Sequence, residues 1–320
     1  MLITDYDFGA FVRDGRERYF WMTSTAGDKS FGTDTLRFPD SLLSFLYLDV
    51  SEVEPAFRKL REDLWQLTLT HEQQYVDSIF AELELLAARH VYFREFSLAY
   101  QYRVSQSVLL GDYTENVLQL RQVDTLLGDT QGIQKQVLDL IEHVLDIDGA
   151  QKPVRKKLAE FYHDRGTEAF QFRPQPMSFE LIDEETFVEV LHPESVYDLI
   201  DYHVRECIRQ ETRMRRCKNC GRFFAIQRRS TAEYCDRVID GRGHTCKEIG
   251  ARVQWTQSKK DDTLFQDYRR EYKTRFARTK VGKYTTDELY AWGALAREKV
   301  EACRAGKITE AEFHAWLKKS

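Results

Sequence analysis

The chain has 320 residues, of which 42% are hydrophobic and 31% charged, and its formal net charge at pH 7 is −5. This composition is typical of a globular protein with about two domains and excludes a disordered chain. No apolar run approaches the roughly 18 residues that a membrane-spanning helix needs, so no membrane partner is expected. The first residues lack a basic segment followed by an apolar one, which favours a cytoplasmic protein with reduced thiols.

The charges are unevenly distributed along the chain. Residues 1–204 carry 19 Lys and Arg against 36 Asp and Glu, a net charge of −17, whereas residues 205–283 carry 22 against 10, a net charge of +12. A basic region of this size is typical of a surface that binds nucleic acid through its phosphates. The alternative is that the basic region docks on the acidic part of the same chain, and charge alone does not separate the two.

Helical spacing of apolar residues dominates the first half of the chain. Residues 1–50 are the least regular, with one short strand predicted at 19–22. A helix is expected from about Val53, and helical spacing continues over 71–110 with a break near 88–91. Shorter helices are predicted over 114–127, 132–146 and 153–164, bounded by Gly128, Gly149 and Pro153.

Two short segments of alternating polarity, 178–182 and 186–191, predict a β-hairpin. Ser195 and Asp198 then form a capping box that begins a helix. This helix is expected to run into the basic residues 213–216 and to act as a rigid stalk for the motif that follows.

The clearest motif is C-x2-C-x14-C-x10-C, formed by Cys217, Cys220, Cys235 and Cys246. Two Cys separated by two residues can bind one ion from a tight turn, and a second pair completes a tetrahedral shell. Four thiolates leave no open position, so the predicted ion is a structural Zn²⁺. The alternatives are four unligated core cysteines, or His244 in place of Cys246 as a ligand.

A long basic helix is expected over residues 247–280, with aromatic residues between its charges. Such residues can stack on bases, but the spacing of 265, 268, 272 and 276 is also that of a core stripe, which is the favoured interpretation. Capping boxes at Thr285 and Thr309 begin a closing helical hairpin. The predicted nucleic-acid contacts are the basic residues that crowd the metal site: Arg215, Arg216, Lys218, Arg222, Arg228, Arg229, Arg237 and Lys247.

The stretch RRCKNCGRFFAIQRRSTAEYCDR, with the later TCKEIGAR, resembles a zinc finger of the CGNR type. Over residues 178–280 the chain resembles more closely an uncharacterised bacterial family of unknown function that shares this finger. The resemblance implies that the four cysteines bind zinc and that the protein is a nucleic-acid-binding regulator. The sequence departs from the pattern after the fourth cysteine, where Lys-Glu-Ile stands in place of Gly-Asn-Arg. Residues 306–317 resemble a short helical motif of the SHOCT type, which implies protein association.

No catalytic motif was found, so the chain is expected not to be an enzyme. Arg237 and His244 have a spacing seen in some metal-independent ribonucleases, but they lie in the predicted metal loop. His203 and Cys207 share a helix face without a third group to orient them, as in ordinary packing. Cys303 is likewise expected to be a core residue.

These observations predict a mainly α-helical protein with a small β-hairpin. Its predicted parts are an acidic helical domain (1–177), a hairpin with a connecting helix (178–216), a four-cysteine zinc module (217–250) and a basic helix with a C-terminal helical hairpin (251–320). The predicted function is regulatory nucleic-acid binding, with DNA favoured over RNA. The alternative is a protein-interaction or scaffold protein with purely structural zinc, in which the basic module docks on an acidic surface. Association with a protein partner or with a second copy is expected through the C-terminal helices.

Overall fold

The structure, a computed structural model, describes residues 2–182, 185–226, 231–260 and 262–320. The chain forms two compact units. The first consists of Met1–Arg216 and Arg222–Ala232, and the second of Cys217–Gly221 and Glu233–Ser320. Within the described ranges, no helix combines the length and the apolar character that crossing a membrane requires.

The first unit contains an antiparallel sheet with the strand order β3-β2-β1-β5-β4. Its strands are β1 (Asp5–Arg13), β2 (Arg16–Ser24), β3 (Lys29–Arg37), β4 (Met177–Leu181) and β5 (Phe187–Leu191). The hairpin β4–β5 confirms the prediction, and it joins the sheet through Ala10 opposite Leu191. The meander β1–β3 was not predicted, because β3 is exposed along most of its length and shows little apolar alternation.

The first unit also contains helices. They are α1 (Asp40–Leu46), α2 (Glu54–Thr70), α3 (Gln73–Arg89), α4 (Val91–Leu110), α5 (Glu115–Leu118), α6 (Leu120–Leu140), α7 (Val154–Arg165) and α8 (Val196–Arg209). The predicted break near 88–91 lies at His90, between α3 and α4. The predicted boundary at Gly128 is wrong, because α6 continues through it; the buried residues Val123, Val137 and Leu140 outweigh the weak helix propensity of one glycine.

Ser195 caps α8, since its side chain accepts a hydrogen bond from the N–H of Asp198. The predicted capping box is only half formed, because the Asp198 carboxylate accepts from the N–H of Glu194 instead of that of Ser195. The expected helical stalk is wrong. The helix ends at Arg209, and Glu211 then adopts a left-handed conformation with φ of 47°. The basic segment is instead strand β6 (Met214–Arg216), which pairs with β7 (Phe223–Ala225).

A polar network is buried in the first unit. The hydroxyl of Tyr19 lies 3.0 Å from Glu17 Oε2, 2.8 Å from Ser41 Oγ and 3.1 Å from His203 Nε2. The hydroxyl of Tyr92 lies 3.1 Å from both Ser41 Oγ and His203 Nδ1. Burial raises the pKa of Glu17 to about 8 and lowers the pKa of His203 to about 4. At neutral pH the network therefore contains a protonated glutamate and a neutral histidine.

The second unit contains the helices α9 (Cys246–Ser258), α10 (Thr263–Lys280), α11 (Thr286–Arg304) and α12 (Glu310–Lys319). The single helix predicted over 247–280 is wrong. The chain leaves helical geometry after Ser258, and Asp262 caps a new helix by accepting a hydrogen bond of 3.0 Å from the N–H of Phe265. The capping boxes at Thr285 and Thr309 are confirmed.

The last three helices enclose a small apolar cluster that includes Leu264, Trp292 and Phe313. Trp292 stacks between the rings of Tyr268 and Trp316 at centroid distances of 5.9 and 6.1 Å. This cluster gives α10 a buried side and leaves its opposite side to solvent. Fold class is therefore as predicted: mainly helical, with a small sheet and clustered cysteines.

Candidate metal centre

Four sulfur atoms converge in the second unit. The Sγ atoms of Cys217, Cys220, Cys235 and Cys246 all lie within 4.8 Å of one another, and those of Cys220 and Cys235 are 3.7 Å apart. A tetrahedral ion with Zn–S bonds of about 2.3 Å places its sulfur ligands about 3.8 Å apart. The spacing matches a four-thiolate site and is too long for a disulfide, whose sulfurs lie about 2.05 Å apart.

The first two cysteines stand on a tight turn between β6 and β7. The N–H of Gly221 donates a hydrogen bond of 2.8 Å to the carbonyl oxygen of Cys217. Gly221 has a φ of 71°, which glycine adopts without the steric cost that a side chain would add. The N–H of Lys218 donates to the carbonyl oxygen of Glu233 at 3.0 Å, and this bond ties the turn to the segment that carries the third cysteine.

The fourth cysteine is held by the start of α9. Cys246 is the first residue of this helix, and Thr245 caps it through a capping box with Glu248. The N–H of Glu248 donates to Thr245 Oγ1 at 3.3 Å, and the Glu248 carboxylate accepts from the N–H of Thr245 at 2.7 Å. The N–H of Lys247 donates to the carbonyl oxygen of Cys235 at 3.0 Å. These bonds bring the third and fourth cysteines together.

Hydrogen-bond donors point at the sulfur atoms. The N–H of Cys235 lies 3.4 Å from Cys217 Sγ, Asn219 Nδ2 lies 3.3 Å from Cys246 Sγ, and Arg237 Nη1 lies 3.7 Å from Cys235 Sγ. Burial opposes ionisation of Cys217, but backbone N–H groups lower its pKa to about 7. Burial raises the pKa of Cys235 to about 12. A bound divalent cation favours the thiolate form at every ligand.

His244 does not point at the sulfur cluster. Its Nδ1 lies 2.8 Å from Asp240 Oδ2, and its backbone N–H donates to Asp240 Oδ1 at 3.0 Å. Hydrogen bonds from His244 lower the pKa of the Asp240 carboxyl. The imidazole therefore braces the loop before α9, and the geometry favours Cys246 as the fourth ligand.

A glycine allows α9 to approach the rest of the site. A Cβ atom at Gly250 would lie 2.4 Å from Cδ1 of Tyr234 and 3.1 Å from Cβ of Asn219. The first contact is shorter than carbon atoms tolerate and the second is tight, so a larger residue would require the ring of Tyr234 to shift.

The eight basic residues predicted to contact nucleic acid are divided between the two units. Arg215, Arg216 and Arg222 belong to the first unit, and Lys218, Arg237 and Lys247 belong to the second. Arg228 and Arg229 lie outside the described residues. The structure therefore does not describe these eight residues as one continuous surface.

Two of the first-unit arginines bind carboxylates of their own unit. Arg215 Nε and Nη2 lie 2.7 and 2.8 Å from the two carboxylate oxygens of Asp148, and its side chain is only 16% exposed. Arg216 Nη2 lies 2.7 Å from Glu142 Oε2. The forked pairing fixes the guanidinium of Arg215, so this side chain holds β6 in place and is poorly disposed for an external phosphate. Arg216 forms a more exposed ion pair through one guanidinium nitrogen.

The third first-unit arginine also has an internal contact. The guanidinium of Arg222 lies 5.3 Å from the ring centroid of Tyr47, and the hydroxyl of Tyr47 accepts a hydrogen bond of 2.7 Å from the N–H of Phe223. This arrangement anchors the start of β7 to the first unit.

In the second unit, the two predicted lysines are exposed and lie beside acidic residues. Lys218 Nζ is 2.5 Å from Glu233 Oε1, and Lys247 Nζ is 3.3 Å from Asp236 Oδ1. Their side chains are 57% and 69% exposed. Ion pairs at such exposure contribute little stability.

An exposed basic face on α10 was not predicted. Arg269, Lys273, Phe276 and Lys280 follow the spacing i, i+4, i+7, i+11, which places them on one side of the helix, and all four are exposed. We call them the basic helix face. The spacing of these four residues is visible in the sequence. The core-stripe interpretation, however, assigned Phe276 to the interior, whereas its side chain is 47% exposed.

A small cleft adjoins this face at Arg269. It has a volume of about 250 Å³ and is lined by Trp255, Lys259, Lys260 and Phe265 as well. The indole of Trp255 is 50% exposed and meets the ring of Phe265 edge-on, with centroids 5.5 Å apart. An exposed aromatic ring and several cations therefore lie together in the second unit.

Comparison with known proteins gives one match. The model of a family of unknown function, DUF6076, covers residues 169–319. No curated protein and no solved structure gives a significant match. This family description contains no finger type and no source, so the CGNR-type finger and the bacterial source stay predictions. From β4 to α12, including all four cysteines, the chain is similar to a family whose function is unknown.

Proposed function

We propose that this protein is a non-enzymatic, regulatory nucleic-acid-binding protein of the cytoplasm with one structural zinc ion. The observation that carries the proposal is the convergence of four cysteine sulfurs in a unit that is itself basic. The second unit contains 20 Lys and Arg against 14 Asp and Glu, a net charge of +6, whereas the whole chain has −5. Positive charge on a rigid module is the electrostatic requirement for binding a polyanion.

The donor set favours zinc over other common ions. Four thiolates at tetrahedral spacing suit Zn²⁺, whereas Mg²⁺ and Ca²⁺ bind through oxygen. Because protein side chains fill all four coordination positions, the ion cannot bind a substrate, and its role is to stabilise the fold. Cys217 and Cys220 would be linked through it to Cys235 and to the start of α9, which otherwise depend on a few backbone hydrogen bonds.

The basic helix face and the adjoining cleft supply the two contacts that nucleic acids require. Arg269 and Lys273 have no ion-pair partner within the described part of the chain, so binding a phosphate does not break an existing pair. Trp255 and Phe276 offer exposed rings on which bases can stack, an interaction worth about 1–3 kcal/mol per base. Lys218 and Lys247 add exposed charge beside the metal site.

Fluorescence anisotropy tests this proposal directly. The full chain is titrated into labelled duplex DNA and into a structured RNA of equal length, at about 50 and 200 mM salt, with and without a zinc chelator. We expect binding that weakens at the higher salt, is tighter for DNA and decreases after chelation. Absence of binding at the lower salt would refute the proposal.

Charge reversal locates the interface. Arg269→Glu combined with Lys273→Glu is expected to weaken DNA binding at least about tenfold and to lower the salt dependence by about two phosphate contacts. Arg155→Glu combined with Lys156→Glu changes the net charge equally, on an exposed part of α7 in the first unit. If both double variants lose affinity equally, the basic helix face is not the site.

Protein association is a second candidate function, and the hairpin β4–β5 favours it. Phe179 and Phe187 are 69% and 56% exposed, and their rings stack with centroids 5.2 Å apart. Exposed aromatic pairs of this kind occur at protein interfaces. Light scattering of the wild-type chain should then show an oligomer that dissociates in Phe179→Ser combined with Phe187→Ser. A wild-type monomer would argue against self-association through this hairpin.

A further inference from the structure

The first unit contains a cleft of about 640 Å³ that the proposed function does not use. Helix α4 lines one side with Glu95, Phe96, Ala99, Tyr100 and Arg103. Helix α6 lines the other side, and the start of α8 closes one end. More than half of the residues that line it are polar or charged, and its volume lies within the range of binding sites for small molecules.

Glu95 is the unusual residue of this cleft. Its side chain is buried, with 1% of the residue exposed, and its Oε1 atom has no hydrogen-bond partner. Burial raises the pKa of Glu95 to about 8, although the Arg103 guanidinium lowers it in part. A buried carboxyl oxygen without a partner destabilises a fold. Its position in the wall of a cleft indicates that the missing partner comes from outside the protein.

Two glycines leave space on the opposite wall. Gly128 and Gly132 lie four residues apart within α6, and both line the cleft. A Cβ atom at either position would meet no other atom within 4 Å, so the packing of the protein does not require glycine there. Glycine inside a helix costs about 1 kcal/mol relative to alanine. Helix α6 therefore has two residues that destabilise a helix, and both lie on the wall opposite Glu95.

Two guanidinium groups supply positive charge to the same cleft. Arg103 Nη1 donates a hydrogen bond of 2.7 Å to Gln122 Oε1, and its guanidinium lies 5.1 Å from the ring centroid of Tyr100. Arg173 lies 3.8 Å from the ring centroid of Tyr197. Neither forms an ion pair with any described carboxylate. Arginine held against a ring in this way can still pair with a carboxylate or a phosphate.

We propose that this cleft binds a small zwitterion, the size of an amino acid or a dipeptide. The ammonium group of the ligand donates to Glu95 and becomes the partner that Oε1 lacks. The acidic group of the ligand pairs with Arg103 or Arg173, and its side chain packs on the rings of Phe96 and Tyr100. This inference is independent of nucleic-acid binding, because every residue of the cleft belongs to the first unit.

Binding of the ligand should release a proton from Glu95. Glu95 holds a proton when it is buried without a partner, and an ammonium group at Oε1 stabilises the carboxylate. The O–H bond of the Glu95 carboxyl breaks, the proton passes to the buffer, and an ammonium–carboxylate pair forms. Ligand binding therefore releases up to one proton near neutral pH. Two exposed carboxylates, Asp129 and Glu194, also line the cleft, but solvent screens their interaction with a ligand.

Isothermal titration calorimetry of the full chain tests the proposal. The probes are the common amino acids and glycine-containing dipeptides, each titrated in two buffers that differ in ionisation enthalpy. Each probe that binds is compared with its N-acetyl derivative, which lacks the ammonium group, and with its amide, which lacks the acidic group. We expect at least one probe to bind with proton release, and both blocked derivatives to bind at least about tenfold more weakly, a loss of about 1.4 kcal/mol.

Three variants complete the test. Glu95→Gln replaces the protonated carboxyl with a neutral side chain of the same shape, and we expect at least a tenfold loss of affinity together with loss of proton release. Gly132→Leu fills the cleft without changing any charge and should also abolish binding. Glu62→Gln removes an exposed carboxylate of α2 that does not line the cleft, and it should leave affinity within about twofold. The proposal is overturned if no probe binds, if blocked derivatives bind as well as the zwitterion, or if Glu95→Gln binds like the wild type.

Discussion

The buried carboxyl of Glu17 should make the stability of the first unit depend on pH. Glu17 is fully buried on β2, and its Oε2 accepts a hydrogen bond from the hydroxyl of Tyr19 at 3.0 Å. Burial raises its pKa to about 8, although hydrogen bonds from Ser41 and Tyr19 lower it in part. Glu17→Gln keeps a neutral polar side chain of the same shape and removes the titration. The perturbation therefore isolates one ionisation.

The sign of the effect follows from proton binding in the two states. Below about pH 4.5, Glu17 is protonated both in the folded and in the unfolded chain, so its titration has no effect. Between about pH 4.5 and 8 the folded chain keeps the proton that the unfolded chain releases, so the unfolding free energy of the wild type falls as pH rises. The slope is at most about 1.4 kcal/mol per pH unit, and the total loss relative to Glu17→Gln is at most about 5 kcal/mol.

His203 of this network and His90, whose Nε2 lies 3.1 Å from the carbonyl oxygen of Ser41, act in the opposite direction. Burial lowers the pKa of both His90 and His203 to about 4, so their contribution to stability rises with pH between about pH 4 and 6.5. Both histidines are present in wild type and variant, and their effects cancel in the comparison. The difference between the two proteins is therefore more informative than either pH profile alone.

The assay is urea unfolding at about pH 5, 6.5 and 8, followed by hydrogen exchange of peptides from β2 so that the signal comes from the first unit. We expect the variant to gain stability relative to the wild type at each step to higher pH. Glu62→Gln, at an exposed position of α2, removes a carboxylate from the same unit and should run parallel to the wild type. A difference between Glu17→Gln and wild type that stays constant from pH 5 to 8 would falsify the reasoning.

Three further predictions concern the second unit. Cys217→Ser should remove the bound zinc, measured by metal analysis, and forfeit much of the roughly 10 kcal/mol that couples metal binding to folding; Cys303→Ser, outside the cluster, should keep one zinc per chain. Gly250→Ala should lower zinc affinity and thermal stability by about 1–3 kcal/mol, because its Cβ overlaps the ring of Tyr234; unchanged values would contradict the close approach of α9. Thr285→Ala should cost about 1 kcal/mol in thermal denaturation through loss of the α11 cap, whereas Thr285→Ser should not.

Local signals in the sequence were sufficient to predict several features. The caps at Ser195, Thr285 and Thr309 depend on residues three positions apart, and each occurs where expected. The cysteine spacing likewise restricts which side chains can meet, and the four sulfurs do converge. Zinc and nucleic-acid binding stay predictions, because neither spacing nor geometry identifies the ligand.

Features that depend on tertiary packing could not be predicted in the same way. Most residues of α4 between Tyr92 and Gln101 are buried, so no apolar stripe distinguishes Glu95 from a solvent-exposed glutamate. The wall opposite Glu95 comes from α6, where Gly128 suggested a helix boundary when only local propensity was considered. Arg215 and Arg216 looked like free charge beside the cysteines, but their partners Asp148 and Glu142 are more than sixty residues away in the sequence.

The chain passes from one unit to the other more than once, and this limits how the metal site can be transferred to another protein. The chain changes unit after Arg216, after Gly221 and after Ala232, so two of the four cysteines are enclosed by segments of the first unit. A fragment that starts at Glu233 lacks Cys217 and Cys220, and one that starts at Cys217 carries β7 without its partner β6. A fragment that starts between α8 and β6 keeps both strands and all four cysteines, but it lacks Asp148 and Glu142, which bind Arg215 and Arg216 of β6. Gene fusion or recombination at one junction would therefore transfer the four cysteines without the first-unit carboxylates that hold β6 in place.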